Sequence, residues 1–481
     1  MLSKSEEHLK ESLVSLQNSQ GVELRGCLLR LTRFMVGFEV YNANGVIRLS
    51  EVLSQFRIIF QDRAIYSGRA VIESLVNTGL TVVCEASLDE AAWMDVHFDP
   101  GMNGNGSLPH EFSLFIEEWQ KLYTVANDYK VIVADMQSFF ADLRLWLNQI
   151  ELGVRSAPSG DRLRLEQSVA TELAEPVIKL IDAFIERFEV AAENLKSEVR
   201  PSHRAYLRRQ LHPLVLCSPF AYRAYHKPLG YPGDYELINM MMRSPCEGST
   251  LFAKVLNIWL LGQVPVRAHR NRIAHIKTTL RQEVLRGAER GQIVKIFNLG
   301  CGPAREIQEF MVESDLTRRA QFSLLDFNEE TLDHTRQALN DAMNRGHRPA
   351  AVQLMRKSVA QVLKEAAKPS SSLLLPEYDF VYCAGLFDYL PDSICEKILA
   401  VLYRMVAPGG LLLATNVSDS MNWSRPFRHS MDYILDWHLI YRNGMRMQAL
   451  AAPLEPQDAC RVYSEETGVN VFMEVRKPHH A

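Results

Sequence analysis

The sequence predicts an α/β protein whose C-terminal part is a doubly wound parallel sheet, preceded by a helical connector and, at the N-terminus, by a small β-rich domain. Three observations carry this reading. From Gln292 onward, short apolar runs alternate with amphipathic stretches, the pattern of parallel strands joined by crossover helices. Between about 110 and 215, apolar residues recur every three or four positions with charges between them. Before residue 100, β-branched and aromatic residues are punctuated by turn signals.

At 481 residues the chain is long enough for several cores, and we divide it into segments 1–100, 110–215, 216–290 and 291–481. Hydrophobic residues at 47% and charged residues at 23% are ordinary for a globular protein. A net charge of −4 leaves no surplus of Lys and Arg to neutralise phosphates, so no nucleic-acid partner is expected. No apolar stretch approaches the roughly 20 residues of a membrane span, so no stable membrane insertion is expected. The start, with Lys4, Glu6, Glu7 and Lys10, lacks the apolar core of a secretory signal, and a cytoplasmic location is expected. The eight cysteines are scattered without a C-x-x-C pair, so reduced thiols and no metal site are expected.

The β-rich stretch runs from about Val22 to Leu88, with turn signals at Asn42-Ala43-Asn44-Gly45, Tyr66-Ser67-Gly68 and Asn77-Thr78-Gly79. Arg25, Arg30 and Arg33 followed by FRIIFQDRAIYSGRAVIESLVNTGLTVV give it a resemblance to the PilZ-type barrel that senses cyclic di-GMP. That family binds its ligand through R-x-x-x-R and D/N-x-S-x-x-G. Here the arginine spacing differs and IRLSEVL has no glycine, so the arginines are read as surface residues and binding by that route is not expected. PGMNGNGSLP, at 100–109, reads as a linker. The helical stretch behind it is broken at SAPSG, and its aromatic stripe (Phe115, Trp119, Phe139, Phe140, Trp146) reads as helix-packing core in a connector or homodimerisation element.

In the C-terminal part, IVKIFNL is an apolar run suited to a strand buried on both faces, and it leads directly into GCGPAREIQEFM. Gly300 and Gly302 let the backbone turn sharply and approach a ligand at the start of a helix. The next strand, QFSLLDF, ends in Asp326, whose carboxylate can accept hydrogen bonds from two ribose hydroxyls. VQLMRK, YDFVYCAGLFDYLPD and VLYRMVAPGGLLLATNV supply the following strands. In this order and spacing, about Gly291 to Val417 resembles the class I S-adenosylmethionine-dependent methyltransferases. The resemblance implies a Rossmann-like sheet and S-adenosyl-L-methionine as cofactor, bound by Asn298, Gly300, Gly302, Asp326, Phe327, Ser358, Val359, Ala384 and Gly385. Two positions depart from the family pattern: Asn298 stands where an acidic residue is usual, and Ala304 at the third glycine position. A carboxylate from elsewhere is therefore expected near the cationic end of the cofactor.

The segment 216–290 carries HKPLGYPGDYE, a turn dense in functional side chains. We expect it to act as a lid with Tyr231, Asp234 and Tyr235 as catalytic residues, Asp234 or Glu236 supplying the missing charge; alternatively its Pro and Gly end a helix and its tyrosines pack. Arg267, His269, Arg270 and Arg272 form a basic cluster in which Arg267 and Arg270 are candidates to receive a substrate carboxylate, unless the cluster is a solvated helix face. SMDYILDWHLIYR reads as one helix whose Tyr433, Trp437 and Tyr441 wall an acyl pocket or pack on the sheet. His226, His269 and His429 are candidate bases if the acceptor is a hydroxyl or an amine. HKPLGYPGDYE, AHRNRI, FNLGCGPARE and SMDYILDWHLIYR together resemble the bacterial proteins of extracellular-factor 3-hydroxypalmitic acid methyl ester biosynthesis, from about Ser218 to the C-terminus. This implies carboxyl O-methylation of a small-molecule substrate, a 3-hydroxy fatty acid, to a diffusible quorum-sensing methyl ester. A methyltransferase acting on another small molecule and a cofactor-binding signalling protein without turnover are the alternatives.

Overall fold

A computed structural model describes residues 13–41, 47–60, 63–77, 81–94, 113, 116, 125–368, 377–418, 427–454 and 460–479. The turn at 42–45, the linker at 100–109, and Phe115 and Trp119 lie outside the described residues. Six strands near the N-terminus, β1 (Leu13–Gln17), β2 (Glu23–Leu31), β3 (Met35–Tyr41), β4 (Val52–Phe60), β5 (Arg63–Asn77) and β6 (Thr81–Leu88), close into a barrel in the order β1-β2-β3-β6-β5-β4. Alternation places Val14, Leu16, Val36, Phe38, Cys84 and Ala86 inside, and Phe38, Phe56 and Tyr66 fill the interior with ring centroids 5.3 and 6.2 Å apart.

The helical region is more than a connector. Helices α1 (Asn127–Arg155), α2 (Ser159–Glu193), α3 (Arg200–Val215), α4 (Pro219–His226), α5 (Tyr235–Met242), α6 (Leu251–Leu261) and the first turn of α7 (Val264–Glu289) share one continuous core. Phe427, Tyr433, Ile434, Leu435 and Trp437 from near the C-terminus join it. Phe140 lies inside this core, as the aromatic stripe suggests, but Trp146 is 46% exposed.

The sheet is built from β7 (Val294–Leu299), β8 (Ala320–Asp326), β9 (Ala351–Arg356), β10 (Tyr378–Cys383) and β11 (Val406–Val417), all parallel to their neighbours, with crossover helices α8 (Arg305–Glu313), α9 (Glu329–Gly346), α10 (Val359–Ala366) and α11 (Asp392–Met405). After α12 (Arg428–Leu435) and α13 (Gly444–Ala451), two strands not anticipated from the sequence, β12 (Cys460–Ser464) and β13 (Asn470–Arg476), complete the order β12-β13-β11-β10-β7-β8-β9, with β13 antiparallel to β11. The chain winds outward through β8 and β9 and then returns to place β10 beside β7. That reversal opens a crevice at the carboxyl ends of β7 and β10, where open parallel sheets bind ligands. Among the described residues, no helix is long and apolar enough to cross a membrane.

The late segment does not form the single helix expected. Asp436 ends α12 in the left-handed conformation, φ 56°, so Trp437 and Leu439 follow in irregular chain rather than on a helix face. The start of α12 is capped from another element: the buried Glu189 of α2 accepts from the backbone N–H groups of Phe427, His429 and Ser430 at 2.7–3.0 Å. Beyond it, the fully buried Arg442 donates to the carbonyls of Phe387 and Leu390 and to Asn416 and Asp392 at 2.6–2.8 Å.

The barrel is tied to this body by a buried ion pair between Glu73 of β5 and Arg204 of α3. Removing one member leaves the other charge away from water and short of its hydrogen-bonded partner. Arg204→Met should therefore destabilise the protein by about 3–5 kcal/mol in urea denaturation, and adding Glu73→Gln should recover part of that loss. A loss under about 1 kcal/mol, the range of an exposed pair, would contradict the burial of this contact.

Candidate functional site

One cavity sits on the crevice between β7 and β10. Its floor is the carboxyl ends of the strands: Leu299 at the end of β7 with Gly300 and Gly302 behind it, Asp326 at the end of β8 with Phe327 next, Lys357 after β9, and Ala384, Gly385 and Leu386 after β10. Gly300 adopts φ 72°, which a side-chain-bearing residue rarely does, and the N–H groups of Gly300 and Cys301 both donate to the carbonyl of Leu325, folding the loop against β8. Asp326 accepts from the N–H of Gly302 at 3.2 Å and of Asn328 at 3.0 Å. Burial raises its carboxyl, while those two donors and the nearby Arg48 charge favour the ionised form. A buried carboxylate at the cavity wall, beside a glycine loop, can take up a pair of hydroxyls.

The turn expected to act as a lid does reach this cavity. Tyr231, Pro232, Gly233 and Tyr235 line it. The Tyr231 ring packs 4.9 Å from Phe327, its hydroxyl is 3.0 Å from Thr331 Oγ1, and burial pushes its phenol far up, so it is neutral. Tyr235 donates to Glu330 at 2.9 Å. Asp234 is engaged elsewhere and is not part of the cavity wall. It caps α5 by accepting from the Leu237 N–H at 2.9 Å and pairs with Arg223 Nε at 2.9 and 3.0 Å. Arg223, on the preceding helix α4, fixes that choice.

Asn298 also lies behind the wall. Its Nδ2 donates to Glu306 at 3.4 Å, and Tyr382 donates to the same carboxyl oxygen at 2.6 Å. The acid beside the unusual Asn298 is thus the buried Glu306 of α8. Ser358 is taken up in a reciprocal cap of α10 with Gln361, leaving Val359 to face the cavity. Ala304 begins α8 at φ 50°, a conformation that glycine would adopt without strain.

On α7 the geometry replaces two expected residues. Arg267 is exposed, and Arg270 donates to the Met241 carbonyl at 2.7 Å. His269 and Arg272, one turn apart, line the cavity instead. Arg272 Nη2 donates to His269 Nδ1 at 2.9 Å. Since a guanidinium only donates, Nδ1 must be the acceptor, and the ring's own proton is on Nε2. Burial, then the charges of Arg272 and Arg270, keep the imidazole neutral. The Nε2–H of His269 is buried and without a partner among the described residues, so this residue of the cavity wall is a donor rather than a base. Gly385, φ 82°, leaves room for Arg272, since a Cβ there would come within 3.0 Å of its Nη2.

Beyond this polar junction the wall is apolar, with Phe220, Met241, Leu260, Val266, Met431 and Trp437. Trp437 donates to Tyr389 at 3.0 Å. Tyr433 faces away from the cavity, packing edge-on against Phe188 in the helical core. His226 and His429 are not part of the wall either; His429 pairs with Glu193.

Two wall residues had no signal in the sequence reading. Arg48 comes from the barrel, just before β4. Asp388 lies in the loop after β10, accepts from the Val417 N–H at 2.7 Å and stands 3.8 Å from Arg272. Burial raises its carboxyl from 3.8 to about 6 against the opposing charge of Arg272. Such a group adds stability while protonated, below about pH 4, and that stability is lost as pH rises through about 6, up to roughly 3 kcal/mol. Asp388→Asn lacks this dependence, so its stability relative to the parent should improve between pH 4 and 7 in urea titrations. A constant offset would mean an ordinary carboxyl.

Residues 234–423 match the model of a family described as "Putative methyltransferase". The match runs from α5 through β11 and covers the glycine loop, Asp326, Gly385 and the cavity-facing residues of α7. No curated protein matches the chain. Among solved structures, the chain is similar to a protein of Bordetella parapertussis described as a possible exported protein, with 16% identity over 67% of this chain and 99% of the other and a TM-score of 0.43. It is also similar to magnesium protoporphyrin IX methyltransferase of Synechocystis with bound S-adenosylhomocysteine, with 11% identity over 45% and 88% and a TM-score of 0.30. A third is an N-methyltransferase of Bradyrhizobium japonicum in complex with the same molecule, with 12% identity over 51% and 98% and a TM-score of 0.28.

Proposed function

We propose that the chain is an S-adenosyl-L-methionine-dependent methyltransferase that methylates the carboxyl oxygen of an apolar acyl substrate, with a 3-hydroxy fatty acid as the candidate and a signalling methyl ester as product. The observation that carries this reading is the composition of the cavity at the β7–β10 crevice. A glycine loop and a buried carboxylate form one end, an apolar helical wall the other, and the donors of His269 and Arg272 stand at the junction beside Gly385.

The residues present fit the cofactor. The loop at Gly300 and Gly302 carries no side chain into the cavity, Asp326 suits a pair of ribose hydroxyls, and Phe327 with Val359 offers apolar surface to a base. When bound, the cofactor supplies a methyl group activated by its sulfonium. A carboxylate acceptor is already ionised near pH 7, so no general base is required. That agrees with a site whose cavity-facing histidine is a donor. His269 and Arg272 would hold the carboxylate by charge-assisted hydrogen bonds, and the apolar wall would take the chain and exclude water, so the contribution of the protein is alignment and desolvation. Replacing the acid expected at position 298 by Asn leaves the cationic end of the cofactor to Asp388, the carboxyl in the cavity wall nearest the junction.

Binding of S-adenosylhomocysteine measured by titration calorimetry, followed by incubation with methyl-labelled cofactor and 3-hydroxypalmitic acid, tests the reading. A labelled methyl ester is expected. Asp326→Ala should weaken S-adenosylhomocysteine binding by at least about tenfold, since each charge-assisted hydrogen bond is worth about 1.5–3 kcal/mol. Binding without transfer to this acid or to any component of a cell lipid extract would favour a sensor over an enzyme.

The helical hairpin offers a surface for a homodimer. Leu145, Trp146 and Leu152 of α1 and Leu163 and Leu180 of α2 are 46–66% exposed. Light scattering should give a dimer mass that Trp146→Lys with Leu152→Lys reduces to a monomer; a monomeric parent would remove this reading.

A further inference from the structure

We propose that the N-terminal barrel is a structural part of the cofactor site, and that Arg48 donates from its guanidinium to an acceptor on the nucleoside of the bound cofactor, beside Asp326. The inference rests on the cofactor reading above and adds a binding residue from a different domain.

The barrel loop between β3 and β4 is unusual for a connection. Ile47, Arg48, Leu49, Ser50 and Glu51 are all buried, whereas loops ordinarily run over the surface because their backbone groups need water. Its polar groups are satisfied by a fixed scaffold. The buried Glu51 accepts from the N–H groups of Arg48 at 2.7 Å and Ser19 at 2.8 Å, and from the Ser19 hydroxyl. Ser50, at φ 58°, exchanges two hydrogen bonds with the backbone of His438: its Oγ accepts at 2.6 Å and donates at 2.9 Å. The Val52 N–H donates to the Gly230 carbonyl at 2.8 Å, joining the loop to the turn that covers the glycine loop. A Cβ on Gly230 would come within 2.9 Å of Ser19 Cβ, so barrel and turn are in close contact.

Arg48 and Leu49 emerge from this scaffold into the cavity. Arg48 is 6% exposed, and its guanidinium carbon lies 4.4 Å from the centroid of Phe327, the residue after Asp326. Its Nε is buried and has no hydrogen-bond partner among the described residues. An unsatisfied buried donor on a charged group is costly, and it is retained where a ligand supplies the acceptor. The ring nitrogens and ribose oxygens of a nucleoside are such acceptors. Its place over the Phe327 ring keeps the guanidinium on the side where Asp326 would hold the ribose, which points to the nucleoside rather than the Gly385–Arg272 junction.

The test is calorimetric, on the full chain, with S-adenosylhomocysteine and with 5′-methylthioadenosine, which lacks the amino-acid end. Arg48→Gln should weaken both by about tenfold or more, and Arg48→Lys, which keeps the charge but not the planar fork, should weaken both by less. Arg25→Ala, on the exposed face of the barrel, should leave both unchanged. Equal affinities for the parent and either Arg48 variant, with the variant's unliganded melting curve intact, would overturn the proposal; so would a loss confined to S-adenosylhomocysteine, which would place Arg48 at the amino-acid end. A parent chain that binds neither compound would overturn the cofactor reading itself, an outcome distinct from both. Should Arg48→Gln fail to fold, Arg48→Lys alone decides.

Discussion

The arrangement depends on one buried carboxylate. Asp436 is 1% exposed and sits where the barrel, the helical region and the late segment meet. Arg208 of α3 donates to it at 2.8 Å, Arg69 of β5 lies at 3.8 Å, and His438 at 3.3 Å, while Lys227 donates to its backbone carbonyl at 2.8 Å. Burial alone would raise its carboxyl; the surrounding positive charges instead hold it well below the usual range. His438 responds in the opposite sense: burial works against its charge, but Asp432 and Asp436 raise it to about 9. Glu73, Asp436 and His438 lie close enough together to hold a metal ion, yet Arg204, Arg208 and Arg69 already balance the two carboxylates.

This cluster has a geometric consequence as well as an electrostatic one. The left-handed backbone at Asp436 stops α12 and redirects the chain, so Trp437 and Leu439 enter the cavity while Ser50 of the barrel grips His438. Glu189 at the start of α12 and Arg442 beyond it fix the same segment at two further points. A site whose floor is the sheet thus has its remaining walls assembled from the barrel loop, the turn at 228–236, α7 and the late segment, none of them adjacent in sequence. Preorganisation of this kind reduces the ordering needed when ligands bind.

Much of the sheet was legible in the sequence because its signals are local. The apolar run at 293–299, the glycines at 300 and 302 and the carboxylate at 326 each follow from the backbone and burial needs of a strand and its terminal loop, and the structure brings them together at one crevice. The barrel's alternation was equally readable, although whether it belongs with PilZ-type barrels is a separate matter from its six closed strands. Side-chain destinations were less legible because they are settled by distant partners. Asp234 reads as a free acid until Arg223 is beside it, Arg267 and Arg270 read as equivalent to Arg272 until α7 is rotated into place, and SMDYILDWHLIYR reads as one helix until Asp436 finds its cations. Arg48 and Asp388 carried no signal, since nothing local distinguishes an arginine in a barrel loop or an aspartate after a strand from any surface charge.

In the function we propose, the crevice between β7 and β10 holds S-adenosylmethionine, with the barrel as one of its walls. A crystal structure of the full chain with S-adenosylhomocysteine tests this most directly. The ribose hydroxyls are expected within hydrogen-bond distance of Asp326, the base beside Phe327 with an acceptor toward the Arg48 guanidinium, and the sulfur beside Gly385, facing the apolar wall. Ligand bound outside this crevice, or bound within it with the barrel displaced and Arg48 in solvent, would contradict it.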